Sequence, residues 1–215
     1  MKITFHSCVG TVTGANFLLE IGRKPAQRGG VGSDTWRVLV DCGLVQGAND
    51  DIHLNREPFP YEPSSIDMLF VTHAHLDHVG RIPKLVKDGF AGVIYSTPET
   101  MSLARLILDD AVQLLDREAR SEGVLPLYGP KDVENAMKLW HTIPYHIETP
   151  IEGGLEGTDD YSAGFSVYLK DAGHILGSTM YRFTCREKVV KNVVFTGDLG
   201  NTPTPLLRDT ESIEG

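Results

Sequence analysis

Four side chains able to ligate a metal stand within a single six-residue stretch, His73, His75, Asp77 and His78, directly after the apolar run Met68-Leu-Phe-Val71. A buried imidazole or carboxylate needs a partner to offset its desolvation, and four of them at the end of a core segment cannot all pair within ordinary packing. A metal satisfies them together. In an extended segment positions 73 and 75 project the same way, so two imidazoles can grip one ion. Asp77 and His78 lie past the bend and can reach a second. The plain alternative, a polar loop that happens to be rich in histidine, leaves this ligand density unexplained, and a two-metal site is the expectation.

The surrounding pattern gives the scaffold. Ile3–Phe5, Phe17–Ile21, Trp36–Val40, Met68–Val71, Val93–Tyr95, Phe165–Leu169, Met180–Thr184 and Asn192–Phe195 are short apolar runs bounded by Gly, Asp or Pro, and read as strands. Gly22 to Asp34, with four glycines and one proline, reads as an exposed hairpin loop and the most flexible part of the chain. Gly80 to Asp88 reads as a short helix closing at Gly89. Thr97-Pro-Glu99 offers an N-cap, a proline for the first turn and an acid near the helix start. From there Leu103, Leu106, Ile107, Ala111, Leu114 and Leu115 keep helical spacing, which predicts a long amphipathic helix from Glu99 to about Ser121. A second helix is expected over Lys131 to Trp140. Periodicity by itself supports α/β or α+β and nothing narrower.

With its motifs in view, the chain resembles the metallo-β-lactamase superfamily, whose signature is His-x-His-x-Asp-His. Three further family motifs follow in family order: Asp41 in Val38-Leu-Val-Asp-Cys-Gly43, His174 in Ala172-Gly-His-Ile-Leu-Gly-Ser178, and Asp198 in Val194-Phe-Thr-Gly-Asp-Leu-Gly200. Thr11-Val-Thr-Gly-Ala-Asn16, Asp41-Cys-Gly-Leu-Val-Gln46 and His78-Val-Gly-Arg-Ile-Pro-Lys84 narrow the likeness to the β-CASP nucleases, the RNA-processing branch that includes ribonuclease J. The resemblance implies an α+β fold, the αββα sandwich. It implies that His73, His75 and His174 hold one metal ion, that Asp77 and His78 hold another, and that Asp198 bridges the two. Asp77 and Asp198 would then be catalytic, with Asp41 orienting a ligand from behind. Two zinc ions are the implied cofactors, with manganese as the alternative.

In that branch a β-CASP domain follows the equivalent of Asp198, and further strands carry another histidine ligand and a general acid. Residues 1–215 therefore correspond to the N-terminal half of such a hydrolase domain, with little RNA cleavage expected from it alone. The resemblance further implies an RNA substrate, and either self-association or a complementing C-terminal half as partner.

Composition constrains the rest. At 41% hydrophobic and 23% charged residues, the chain has the make-up of one globular domain with a substantial core. No stretch approaches the roughly 18 apolar residues of a membrane span, and the start lacks a signal-peptide pattern, so no membrane association and a cytoplasmic location are expected. Cys8, Cys42 and Cys185 include no Cys-x-x-Cys pair, which argues for small core residues over a disulfide framework. The net charge of −9 runs against the basic footprint usual for nucleic-acid binding. His6, His53, His141 and His146 fall outside the motifs and are expected to be exposed or hydrogen-bonded. Three readings stand: a zinc phosphodiesterase acting on RNA, another hydrolase of the superfamily acting on an ester, thioester or lactone, and an inactive metal-binding fragment.

Overall fold

The computed structural model describes residues 1–7, 10, 12–22, 35–47, 50–151, 164–186, 190–201 and 203–213. Residues 23–34 of the expected hairpin loop, Cys8 and Thr11 lie outside these. The described chain forms two sheets. The first runs in the spatial order β1 (Lys2–Phe5), β2 (Phe17–Gly22), β3 (Thr35–Val40), β4 (Met68–Phe70), β5 (Val93–Ser96), β6 (Trp140–Thr142). Its first three strands are antiparallel, and β3 through β6 are parallel. The second sheet, β10 (Val190–Phe195), β9 (Thr179–Arg186), β8 (Phe165–Asp171), β7 (Thr149–Ile151), is antiparallel throughout.

Parallel strands need long crossovers, and these carry the helices. They are α1 (Asp51–Leu54), α2 (Leu76–Val79), α3 (Ile82–Lys87), α4 (Pro98–Glu122) and α5 (Pro130–Lys138). Alternation along each strand then sorts the apolar residues into two cores. Leu18, Leu39 and Leu69 face the helices and pack with Val79, Ile82, Leu85, Leu108, Leu115 and Val133. Leu19, Ile21, Val38, Val40, Met68 and Phe70 face the second sheet and meet Phe165, Val167, Leu169, Tyr181 and Phe183. Strands β3 and β4 are covered on both sides, which is why their sequences read as nearly unbroken apolar runs. Phe70 anchors the space between the sheets, its ring 5.1 to 6.4 Å from those of Tyr95, Phe165, Tyr181 and Phe183. Helix, sheet and sheet are three successive layers of the αββα sandwich.

The long helix matches its sequence signals. The backbone N–H of Thr100 donates to the Thr97 hydroxyl at 3.2 Å, Pro98 occupies the first turn, and Gly123 closes the C-terminus in the left-handed region. Other expectations need correction. The helix foreseen over Gly80 to Asp88 is α3, which starts two residues later at Ile82, because the Arg81 N–H is taken by the Cys42 carbonyl at 2.9 Å; it ends before Gly89 as foreseen, and α2 ahead of it is a separate turn. The one foreseen to Trp140 ends at Lys138. Trp140 instead begins β6, its indole N–H donating to the Ser96 hydroxyl at 2.8 Å. Strand β7 contains Pro150, which fits only because β7 lies at the sheet edge. Cys42 and Cys185 are buried, as expected of core residues. None of the described helices is long and apolar enough to cross a membrane.

Phe70→Ala is expected to lower the unfolding free energy by about 3–5 kcal/mol, whereas Leu106→Ala, on the exposed face of α4, should change it by less than about 1 kcal/mol. Chemical denaturation of the two variants measures the difference.

Candidate metal centre

Apart from Asp77 and His78, which lie on α2, every motif residue lies just past the end of a strand, and all these strand ends lie on one side of the sandwich. Asp41 follows β3, Thr72 to His75 follow β4, His174 lies between β8 and β9, and Asp198 follows β10. The loops are stitched by backbone hydrogen bonds. Asp41 N–H donates to Phe70 O, Cys42 N–H to His78 O, Ala15 N–H to Asp77 O and Leu44 N–H to Leu76 O, all at 2.8 to 3.0 Å. This closeness requires Gly43, where any Cβ would collide with the Asp77 carbonyl. Gly197 makes the matching approach from the other sheet: its positive φ of 54° and missing side chain let the end of β10 lie against Thr72.

The donor atoms converge. His73 Nε2 lies 3.1 Å from His75 Nδ1, and His174 Nε2 lies 3.0 Å from the same atom. Asp198 Oδ2 stands 3.8 Å from His73 Nε2 and 3.7 Å from His174 Nε2. These four donors lie within 4.8 Å of one another. A tetrahedral shell with bonds of about 2.0–2.1 Å has edges of about 3.3 Å, so the four can close around one ion with small adjustments. The other carboxylate oxygen of Asp198, Oδ1, turns to a second group. It lies 3.5 Å from His78 Nε2, and Asp77 Oδ2 lies 3.9 Å from that nitrogen. A cavity of about 380 Å³, walled by Phe5, Phe17, Val40 and Phe195, opens beside His78 and Asp198.

Behind the donors is a buried junction. The Asp41 carboxylate accepts hydrogen bonds from Thr72 N–H, the Thr72 hydroxyl and His78 Nδ1, each at 2.8 Å. A hydroxyl has one proton. With that proton given to Asp41, Thr72 Oγ1 is left to accept from His73 Nδ1 at 3.1 Å. Both His73 and His78 therefore carry their ring protons on Nδ1 and turn Nε2 lone pairs toward the centre.

Electrostatics divides the two groups. Burial, reinforced by the neighbouring His78, His75 and His174, pushes His73 down to about 2. Burial, followed by His174, also lowers His75. These rings keep their lone pairs in acid. Burial acts on His78 in the same direction, but the charge and hydrogen bond of Asp41, joined by Asp77 and Asp198, outweigh it and raise the group above its ordinary value.

The expected site residues all come together here, and Asp41 stands where it can orient His78. Thr72 was not foreseen; a hydroxyl before the first histidine is its only trace in the sequence. The remaining histidines lie elsewhere. His6 packs on the Tyr61 ring, His53 and His141 are exposed, and His146 pairs with Glu211 at 2.7 Å.

The family model of the metallo-β-lactamase superfamily matches residues 31–212. The chain is similar to a ribonuclease of Thermus thermophilus, with 34% identity over 209 residues that cover 97% of this chain and 40% of that protein. It is similar to a transcription termination factor of Methanococcus maripaludis, with 36% identity over 166 residues, 76% of this chain and 24% of that one. The chain thus spans less than half the length of either relative. Among solved structures, a metallo-β-lactamase of Cronobacter sakazakii shares 19% identity and a TM-score of 0.49 over 87% of this chain and 58% of its own.

The raised His78 and lowered His73 and His75 set an order of loss. As pH falls through the His78 value, its Nε2 takes a proton and can no longer ligate on the Asp77 side, while His73 and His75 remain neutral. In a titration from about pH 7.5 to about pH 5.5, metal on the Asp77–His78 side should be released before metal on the His73–His75–His174 side. Stepwise stoichiometry checks this, and simultaneous loss would contradict it. Thr72→Val should weaken metal binding about 10–100-fold with the fold intact.

Proposed function

The chain belongs to the metallo-β-lactamase superfamily, and from that premise we propose that it is a zinc-dependent phosphodiesterase of the β-CASP branch that hydrolyses RNA. The observation that carries the reading is the orientation of Asp198, which presents one carboxylate oxygen to His73 and His174 and the other to His78. A carboxylate so placed suits two cations side by side. His73, His75 and His174 would hold the first, Asp77 and His78 the second, with Asp198 shared between them. Neutral imidazoles with a carboxylate suit zinc better than manganese, which prefers oxygen donors. RNA as the substrate is supported by the ribonuclease of Thermus thermophilus, to which 97% of the chain aligns.

When bound, the two ions would supply Lewis acidity and a water of lowered pKa. The chain's own residues supply position. Asp41 and Thr72 fix the rings of His78 and His73, so that no reorientation is needed when substrate arrives. Asp198 is half-exposed, whereas His73 and His78 are buried, so the bridging carboxylate is the member of the centre that faces an incoming phosphodiester. Asp77 holds negative charge beside His78 Nε2. Among the described residues the second group gathers Asp77, His78 and the shared Asp198.

The test measures chelator-sensitive hydrolysis of a labelled RNA oligonucleotide beside a panel of lactone, thioester and carboxylic ester substrates. Product is expected from RNA alone. Asp198→Ala and Asp198→Asn should each lower it about 100-fold or more, while zinc on the three-histidine side suffers less than in His75→Ala. RNA cleavage indifferent to Asp198, or preference for a small ester, would overturn the proposal.

A further inference from the structure

The net charge is −9, yet one groove of about 530 Å³ is lined by Arg56, Lys84 and Lys87 against a single acid, Asp88, with apolar walls from Pro58 and residues 124–127. Arg81 stands beside it: the Arg81 guanidinium and the Lys84 ammonium both lie against the Phe59 ring, at 4.4 and 4.3 Å. On α3 and its cap, positions 81, 84 and 87 recur at helical spacing and share a face.

The cations differ in how their charge is met. Lys84 is buried and paired with Asp88 at 2.6 Å. The other three are held by carbonyls: Arg56 donates to Ile52 O and Leu125 O, Arg81 to Glu57 O, and Lys87 to Leu127 O, at 2.6 to 3.2 Å. A carbonyl fixes a cation in place without cancelling its charge. Among the described residues, no acidic side chain forms an ion pair with Arg56, Arg81 or Lys87. The stripe begins three residues after His78, and the six residues of α3 extend it by about 9 Å.

We propose that this groove binds the phosphodiester backbone of RNA at a distance from the metal centre, holding the strand beyond the bond that is cut. The proposal rests on the reading of RNA as substrate. Cations spaced along a helix face fit an extended polyanion better than a single small anion, which would draw them to one point. Among the described residues no exposed aromatic ring lines the groove, so the grip is on phosphates and indifferent to sequence.

Binding is measured on the full chain stripped of metal by chelator, so that no cleavage intervenes, using the anisotropy of a labelled single-stranded RNA across a salt series. Each phosphate neutralised contributes about 0.7 to the slope of log affinity against log salt. Lys87→Gln, at an exposed position, should lower the slope by about 0.7, and Arg81→Gln/Lys87→Gln by about 1.4 with about tenfold weaker binding at low salt. Arg105→Gln, exposed on α4, should leave both unchanged. An unchanged slope in Lys87→Gln would overturn the proposal, as would polyglutamate competing as well as RNA. Salt-dependent, Lys87-dependent binding by a chain that never cleaves RNA after zinc is restored would refute the ribonuclease reading and leave the groove standing. Cleavage with no effect of Lys87→Gln on binding would refute the groove alone.

Discussion

One buried carboxylate organises the centre. Asp41 is 1% exposed, and a carboxylate removed from water is tolerated only with its hydrogen bonds made. Its three donors come from the turn after β4 and from α2, so satisfying Asp41 and aiming the metal-facing rings are the same event. The backbone is bent to suit, with Asp41 at a φ of 59°, a region that non-glycine residues seldom enter. That strain is held by neighbours on both sides, the Asp41 N–H on Phe70 O and the Cys42 N–H on His78 O. Moving Asp41 would release His78 directly and His73 through Thr72.

How much of this the sequence reveals depends on how far each interaction reaches along the chain. Histidines and acids packed at short spacing announce a metal because no other partner satisfies them, so His73, His75, Asp77 and His78 stand out without a structure. The long helix does too, since Thr97, Pro98 and Gly123 mark its ends locally. His174 and Asp198 were legible only through a family likeness; nothing in their own neighbourhoods says that they meet residues about a hundred positions earlier. Thr72 was invisible because its role exists only when Asp41 stands opposite. Strands of three residues, such as β6 and β7, are too short for a period to register. Trp140 is placed in β6 by a bond to Ser96, which no helical pattern could reveal.

The donors are divided between the two sheets, and this links the centre to the fold. His73, His75, Asp77 and His78 are carried by the first sheet and its crossover, and His174 and Asp198 by loops of the second. The sheets are tied nearby without metal: Thr179 N–H donates to Thr72 O at 2.9 Å and the Tyr181 hydroxyl to Val71 O at 3.0 Å. These bonds, together with the contact of Gly197 on Thr72, bring the two half-sets of donors into register. The entropy of assembling them is then charged to folding and not to metal binding.

The same division sends an effect in the opposite direction. An ion held by His73 and His75 on one side and His174 and Asp198 on the other would act as a clasp between sheets, since any ligand that binds only the folded state stabilises it by RT ln(1 + [L]/Kd), about 2.7 kcal/mol at a hundredfold excess over Kd. The apo protein must also keep four imidazoles in one small volume, and the strongly depressed His73 shows that it does so by leaving that ring neutral. A neutral ring surrounded by other rings makes few strong hydrogen bonds, so the arrangement sacrifices some stability without metal to keep its lone pairs free. Asp41, on the far side of the rings, offsets that loss by fixing His78 through a charge-assisted bond. Stability and metal affinity in this chain thus meet at the two residues, Asp41 and Thr72, that touch the rings but face away from the ion.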